Sequence, residues 1–549
     1  MLPQSGVATA ARLPIDIRRL PWIRPLAADY VFAYERLAPF FAGDPRSPEA
    51  WRQAIARTQQ HGRNRSGVVD VLQAQQRRRN APAEAQAAAA ELRDATAVAI
   101  VTGQQAGLFG GPLFTLLKAI TAIRLAADIR REHKVPAVPV FWIDAEDHDW
   151  DEVNHVGVFD RDLVRHSIAL GQLPSAGEAP VARVVLDESI GQTLASLQEL
   201  LPPRDFTPEL LETLRAAYAP GNGMADAFGR WLEATLGHLG LVVCDAADPA
   251  LKPFAAGIFA AEVEHAGRTA QLAADAGTAL QAAGYHVQVE PHEGSVCLFH
   301  INRGRHAIKG TGESLQIGDT TLSRSEVVAR VTGTPHEFSP NVLLRPVVQD
   351  TLFPTVCYVA GPNELAYLAQ LRGVYQSFGV PMPLMVQRAS ATLVDSNAMR
   401  FLAKHEFPLE SLRAQDEAAL NQLLEAQLPP GVEAALTDAA RLLDERMSAL
   451  AGAVTEIDST LEGATRSALG RMQDDLKKLH NKVIQAAKRK DETLRRQYHH
   501  AQMLAFPGGH PQEREIGFVY FVNQYGRGLV ERLNDSLPIE MGTHWVLSI

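Results

Sequence analysis

Apolar and polar positions change rhythm several times along the chain, and each change predicts an element. Up to about residue 95, aromatics recur (Tyr30, Phe32, Tyr34, Phe40, Phe41), and an Ala/Gln/Arg-rich stretch covers 73–92. This predicts helices packed on a core. Residues 97–101 then form a short continuous apolar run ending at Thr102-Gly103. Leu113, Leu116, Leu117, Ile120, Ile123 and Ala127 follow on one face at a 3.6-residue period, and 138–143 are apolar again. Strand, glycine-rich turn, helix, strand is the βαβ unit of a parallel sheet. Further strand-like runs lie at 241–244, 342–348, 355–360 and 383–387, separated by stretches that break the alternation.

From Gly431 to Phe506 there is no proline. Leu443, Met447, Leu450, Val454, Ile457 and Leu461 recur at 4-3-4-3-4 spacing, a coiled-coil seam. The rhythm stutters at Ala468, Met472 and Leu476, where Gly463 and Gly470 suggest a bend or hairpin, and resumes through Leu479, Val483 and Ala486. The expected organisation is N-terminal helices and a first half-core (1–155), an insertion (156–235), core again (236–264), a second insertion (265–335), the second half-core (336–395), a helical coiled coil (396–505) and a tail packing back on the core (506–549).

Composition narrows the classes. The chain has 549 residues, 46% hydrophobic and 21% charged, with 53 Lys+Arg against 63 Asp+Glu, a net charge of −10. This is an ordinary globular composition over several domains, with no global field for gathering nucleic acid. Cys244, Cys297 and Cys357 are widely spaced and form no C-x-x-C, which fits a reducing cytoplasm. No apolar run is long enough for a leader or a membrane span.

Three polar turns carry candidate chemistry. Thr102–Gly111 holds four glycines in ten residues between a strand and a helix, a place where backbone N–H groups and the helix dipole favour anions; Thr102, Gly103, Gln104, Gln105 and Gly107 are its substrate-binding candidates. It matches neither nucleotide fingerprint, and tight helix–strand packing alone also accounts for the glycines. The second turn, Asp144 to His155, packs six carboxylates and two histidines into twelve residues. Such crowding can raise a carboxylate pKa, hold a substrate ammonium or bind a divalent metal, or simply be a solvated loop. The preferred roles are catalytic for His148, Asp147 and Asp149, with Glu152 and Asn154 binding substrate and no metal. The third turn contributes Gly361, Asn363, Glu364 and Tyr367, where Glu364 also suits a plain helix start. Parallel strands end on one side of the sheet, so the three turns should converge. Elsewhere, Lys488-Arg489-Lys490 is either a solvated helix face or a phosphate patch, and Arg77-Arg78-Arg79 reads as a solvated face.

The stretches VTGQQAGLFGGPLFTLLKAI (101–120), VPVFWIDAEDHDWDEVNHV (138–156), RPVVQDTLFPTVCYVAGPNELAYLAQL (345–371) and PQEREIGFVYFVNQYG (511–526) resemble, in order and over nearly the whole chain, the BshC family of bacillithiol-biosynthesis cysteine-adding enzymes. The resemblance implies an α/β, Rossmann-like core with two connecting-peptide insertions and a C-terminal coiled coil that mediates homodimerisation. It implies a ligase joining L-cysteine to the amine of glucosaminyl-malate, with ATP or ADP as nucleotide and Lys488, Arg489 and Lys490 as its phosphate contacts. No nucleic-acid or membrane partner is implied. Two other readings of the residues are a metal-dependent hydrolase using the 146–155 loop and a nucleotide-binding coiled-coil scaffold.

Overall fold

A computed structural model describes residues 12–549 apart from Glu293, Arg303, Thr311, Gln427, Pro429 and Asp491, and describes no side chain for Pro430, Lys488 or Lys490. The chain forms two compact units, residues 12–393 with 511–549, and residues 394–510.

The core of the first unit is a five-stranded sheet: β1 (Val98–Gln105), β2 (Ala137–Asp144), β3 (Val242–Asp245), β4 (Thr355–Ala360) and β5 (Leu384–Gln387), in the order β5-β4-β1-β2-β3. Every neighbouring pair is parallel. Parallel strands covered on both faces need continuous apolar runs rather than alternation, and the first six residues of β1 and seven of β2 are buried. Helix α1 (Leu113–His133) buries Leu116, Leu117, Ile120 and Ile123. The chain leaves β1 toward β2 and β3, then returns to the other side of β1 for β4 and β5. This reversal is the Rossmann switch point, and it opens a crevice at the carboxyl ends of β1 and β4.

Two glycines of the first turn are there for space. A Cβ on Gly103 would lie 2.7 Å from the Trp142 carbonyl on β2. Gly110, at φ +95°, faces the stacked pair of Trp231 and Phe518, and a Cβ would meet the Phe518 ring at 2.2 Å. The run 342–348, expected as a strand, is instead a turn leading into helix α2 (Arg345–Leu352), with Pro346 in its first turn. The proline fits where no N–H is needed, and Val347, Val348 and Leu352 are buried as one face of the helix.

Antiparallel strands and helices fill 256–340, and a two-stranded hairpin with three helices fills much of 155–236. The C-terminal strand Thr543–Ser548 joins Arg12–Asp16 and Ser390–Val394 in a three-stranded sheet. Arg79 departs from the solvated face expected of Arg77–Arg79. It is fully buried, donating to both Glu233 oxygens (2.8 and 3.0 Å) and to the Val243 carbonyl.

The second unit is helical. Its longest helices, α3 (Pro430–Val454) and α4 (Leu461–Lys490), form an antiparallel hairpin, with Gln473 reaching Asp444 and His480 reaching Glu433. The seam expected to run unbroken through Ile457 stops at Val454. Its carbonyl accepts from the N–H of both Ile457 and Asp458, while Asp458 caps Thr460, so the turn falls at 455–460, ahead of Gly463 and Gly470.

Removing one partner of a buried ion pair strands the other charge. Glu233→Ala should therefore cost about 3–5 kcal/mol, read as a lowered urea midpoint, whereas an exposed pair such as Arg441–Asp438 should cost under about 1 kcal/mol.

Candidate active site

The crevice holds a cavity of about 310 Å³. Gly103, Gln104 and Gln105 reach it from the end of β1 and Asp144 from the end of β2. Tyr358 on β4, then Gly361, Asn363, Glu364 and Tyr367 after it, form another side. Arg345 and Gln349 come from α2, Phe114 and Lys118 from α1, Arg388 from beyond β5, and Arg514 from the tail.

Lys118 ties the two central strands together. Its ammonium donates to the Gly103 carbonyl (2.8 Å) and Gln104 Oε1 (3.2 Å) and pairs with Glu364 Oε2 at 2.7 Å. Glu364 also accepts from the Gly361 N–H and the Tyr358 hydroxyl. Burial holds Lys118 below the ordinary lysine value, with Glu364 opposing that shift. All three donors of this ammonium are thus committed to the fold.

The first three carboxylates of the acidic loop are each held by a cation. Asp144 pairs with Arg345, Glu146 with buried Lys252, and Asp147 with Arg305 at 3.1 Å. Burial works to raise Asp147, but Arg305 and the His148 N–H outweigh it and leave the carboxyl below its usual range. Three carboxylates in four residues are held by cations from three separate segments.

Arg388 is fixed by a buried, two-pronged pair with Glu513 (2.9 and 2.7 Å). Against the burial that would raise it, Arg388 pulls Glu513 down to about 2. Behind this pair, Ser390 bridges Glu513 and His544 Nδ1, and Thr392 meets His544 Nε2. Arg388 and Arg514 both lie against the Phe114 ring, at 5.4 and 5.9 Å from its centroid. The Arg514 side chain makes no hydrogen bond or ion pair with any described residue. It is exposed, so its five donors remain available.

Of the residues expected from the sequence, Gly103, Gln104, Gln105, Gly361, Asn363, Glu364 and Tyr367 line the cavity together. Thr102 is buried and donates to the Val359 carbonyl, fastening β1 to β4. Gly107 lies outside the cavity. The N–H groups of Gly107, Gly110, Gly111 and Leu113 bond to Gln105, Gly107, Leu108 and Ile516 carbonyls, so this turn spends its amides on packing. Glu152 reaches the cavity edge by accepting from Gln105 (2.7 Å), and Asn154 meets His155. Asp147 is half-buried under Arg305, while His148 and Asp149 are exposed, and none of the three lines the cavity. Arg489 is exposed in the second unit, and the side chains of Lys488 and Lys490 lie outside the described residues. Among the described residues no three His, Cys, Asp or Glu side chains gather as a metal ion requires.

Sequence reasoning missed Lys118, Arg345, Arg388 and Arg514. Lys118 carried a signal, a lone cation on the buried face between Leu117 and Ile120. The two cavity arginines beyond β5 carried none, because 126 positions separate them.

The fold and cavity define a Rossmann-type α/β enzyme core with a crevice lined by arginines and a lysine at its switch point. The family model described as "Bacillithiol biosynthesis BshC, N-terminal Rossmann-like domain" matches residues 13–389, and "Bacillithiol biosynthesis BshC, C-terminal coiled-coil domain" matches 391–549. The chain is 34% identical over 530 residues to "Putative cysteine ligase BshC" of Salinibacter ruber, covering 95% of this chain and 96% of the relative. It is 34% identical over 527 residues to the protein of the same name from Koribacter versatilis (95% and 97%), and 32% over 542 residues to that from Geobacillus thermodenitrificans (96% and 99%). The chain belongs to the BshC family.

His544 gives a pH test of the scaffold behind Arg388. Burial pushes its pKa from 6.5 down to about 4, so the fold keeps it neutral while the unfolded chain takes a proton below 6.5. Stability should therefore fall between pH 6.5 and 4, by about 3 kcal/mol in all from this residue. The stability difference in urea between wild type and His544→Gln should change by that amount between pH 7 and 4.5, to the disadvantage of wild type.

Proposed function

We propose that this protein is the cysteine ligase of bacillithiol biosynthesis, joining the carboxyl of L-cysteine to the amine of glucosaminyl-malate in the last step, in the cytoplasm. The observation carrying this reading is the charge balance of the cavity. Of its four cations, Lys118, Arg345 and Arg388 pair with Glu364, Asp144 and Glu513, while Arg514 at the mouth has no ion-pair partner among the described residues. A malyl group brings two carboxylates on a short carbon chain. Arg514 offers a planar donor fork for one of them, and Arg388, held in place by Glu513, lies across the same phenyl ring. Amide formation then needs an acyl carbon already carrying a leaving group and a neutral amine placed against it, and the crevice supplies the placement.

An ATP or ADP nucleotide, if it takes part, would meet Lys488, Arg489 and Lys490 of the second unit, where a run of three cations suits phosphate. The same unit supports a homodimer. Leu450 (47% exposed) on α3 and Leu479 (50% exposed) on α4 leave apolar surface uncovered on the hairpin. Leu450→Glu with Leu479→Glu should convert a dimer to a monomer by light scattering; an unchanged mass would remove the hairpin from the interface.

The function is tested by the low-molecular-weight thiol profile of a deletion strain of the source organism. Wild type should restore bacillithiol and clear accumulated glucosaminyl-malate. Arg514→Ala should weaken glucosaminyl-malate binding at least tenfold by calorimetry and leave the intermediate accumulated. If His148→Ala or Asp149→Ala abolishes bacillithiol while Arg514→Ala restores it, the chemistry belongs to the acidic loop instead. An unchanged profile in the deletion strain would remove the function altogether.

A further inference from the structure

Beneath the cavity lies a carboxylate that the ligand-facing groups do not explain. Asp350 on α2 is 1% exposed, and its only direct ties toward the cavity are two lining residues. The Tyr375 hydroxyl donates to Asp350 Oδ2 at 2.5 Å, and Gln349 Nε2 donates to Oδ1 at 3.1 Å. No cation among the described residues pairs with its carboxylate. Arg63 spends its Nε–H on the Asp350 backbone carbonyl (3.1 Å). Asp144, Glu364 and Glu513 each have a cation within ion-pair distance. An uncompensated buried carboxylate costs stability, and such groups are kept where they do chemistry.

We infer that Asp350 is the proton sink of the amine-activating step, acting through Tyr375 as a positioning residue and reached from the cavity floor. This rests on the ligase reading above, in which an amine that is protonated at neutral pH must become neutral before it can attack. The Tyr375 hydroxyl accepts one proton from the substrate ammonium as it passes its own to Asp350. The net change is one proton moved from nitrogen to carboxylate, leaving a neutral amine, an unchanged tyrosine and a neutral Asp350. Gln349 fixes the other carboxylate oxygen, so that Oδ2 stays turned to Tyr375.

The groups facing Asp350 set where it titrates. Burial raises it from 3.8 to about 6, opposed by hydrogen bonds from Thr355, Tyr375 and Gln349 and by the Arg63 charge. The Cys357 thiol and the Tyr367 phenol, the other titratable neighbours, stay neutral because burial pushes both up. Asp350 is therefore ionised and able to accept a proton at neutral pH, and filled below pH 6.

The test uses the full-length protein with L-cysteine and glucosaminyl-malate, in extract of the deletion strain, following bacillithiol against pH. Wild type should lose rate tenfold per unit below pH 6. Asp350→Asn and Tyr375→Phe should each lower the rate at pH 7.5 at least tenfold and abolish that limb, while binding glucosaminyl-malate within threefold of wild type. Asp350→Asn should be at least as heat-stable as wild type at pH 8, because it removes a buried charge. Infrared difference spectra of wild type against Asp350→Asn should show one carboxyl titrating near pH 6. If both variants keep wild-type rate and the same acid limb, or if the infrared carboxyl titrates below 4.5, the inference is overturned while the ligase reading stands. If wild type itself binds glucosaminyl-malate no better than Arg514→Ala and forms no bacillithiol, the ligase reading falls first.

Discussion

A parallel sheet buried on both faces can present polar groups in one useful place, the carboxyl ends of its strands, and the reversal between β1 and β4 opens that place. The remainder of the crevice follows from having to keep it open. β1 and β4 must stay together without a covering loop, so Thr102 fastens one to the Val359 carbonyl and Lys118 links the β1 terminus to Glu364. Those contacts use the Thr102 hydroxyl and the lysine donors, and the amides of the first turn are spent within it and on Ile516. What remains for a ligand comes from side chains brought in from elsewhere in the chain.

The cations therefore divide by what they are committed to. Arg345, Lys252 and Arg305 answer three of the six carboxylates of the segment after β2, so it is less acidic in space than in sequence. Arg388 gives three of its five donors to Glu513 and the Ala389 carbonyl, and gains a fixed direction by it. Arg514 is spent on nothing. A committed cation shapes the site and an uncommitted one keeps its donors free, so charge counted along the chain is a poor guide to charge offered at the cavity.

This limits what the sequence could show. The first βαβ unit, its glycine turn and the convergence of two turns on one crevice were legible, because continuous apolar runs and a 3.6-residue period are local signals. The stretch 342–348 misled because Val342, Leu343, Leu344, Val347 and Val348 are apolar in either conformation; only Arg345-Pro346 distinguished a helix start from a strand. The end of the coiled-coil seam was written in Asp458-Ser459-Thr460, a cap signature overridden by a persistent heptad. Arg79 looked solvated because its partner, Glu233, lies 154 residues away. Arg388 and Arg514 failed for the same reason, and pairings across such separations leave no periodicity to read.

The tail shows why those separations are tolerable. Ser390–Val394 and Thr543–Ser548 belong to one sheet, and Glu513 follows the helical unit of 394–510. Closing an unstructured excursion of that length would cost entropy, though only about 0.6 kcal/mol for each doubling. The excursion is instead a helical unit with its own internal contacts, α3 lying against α4, and not an unstructured loop. The core can then take back its last strand, set Glu513 against Arg388 and place Arg514 at the mouth of the cavity. Glu513 and Arg514 thus come to the cavity from a segment that rejoins the core after the helical unit.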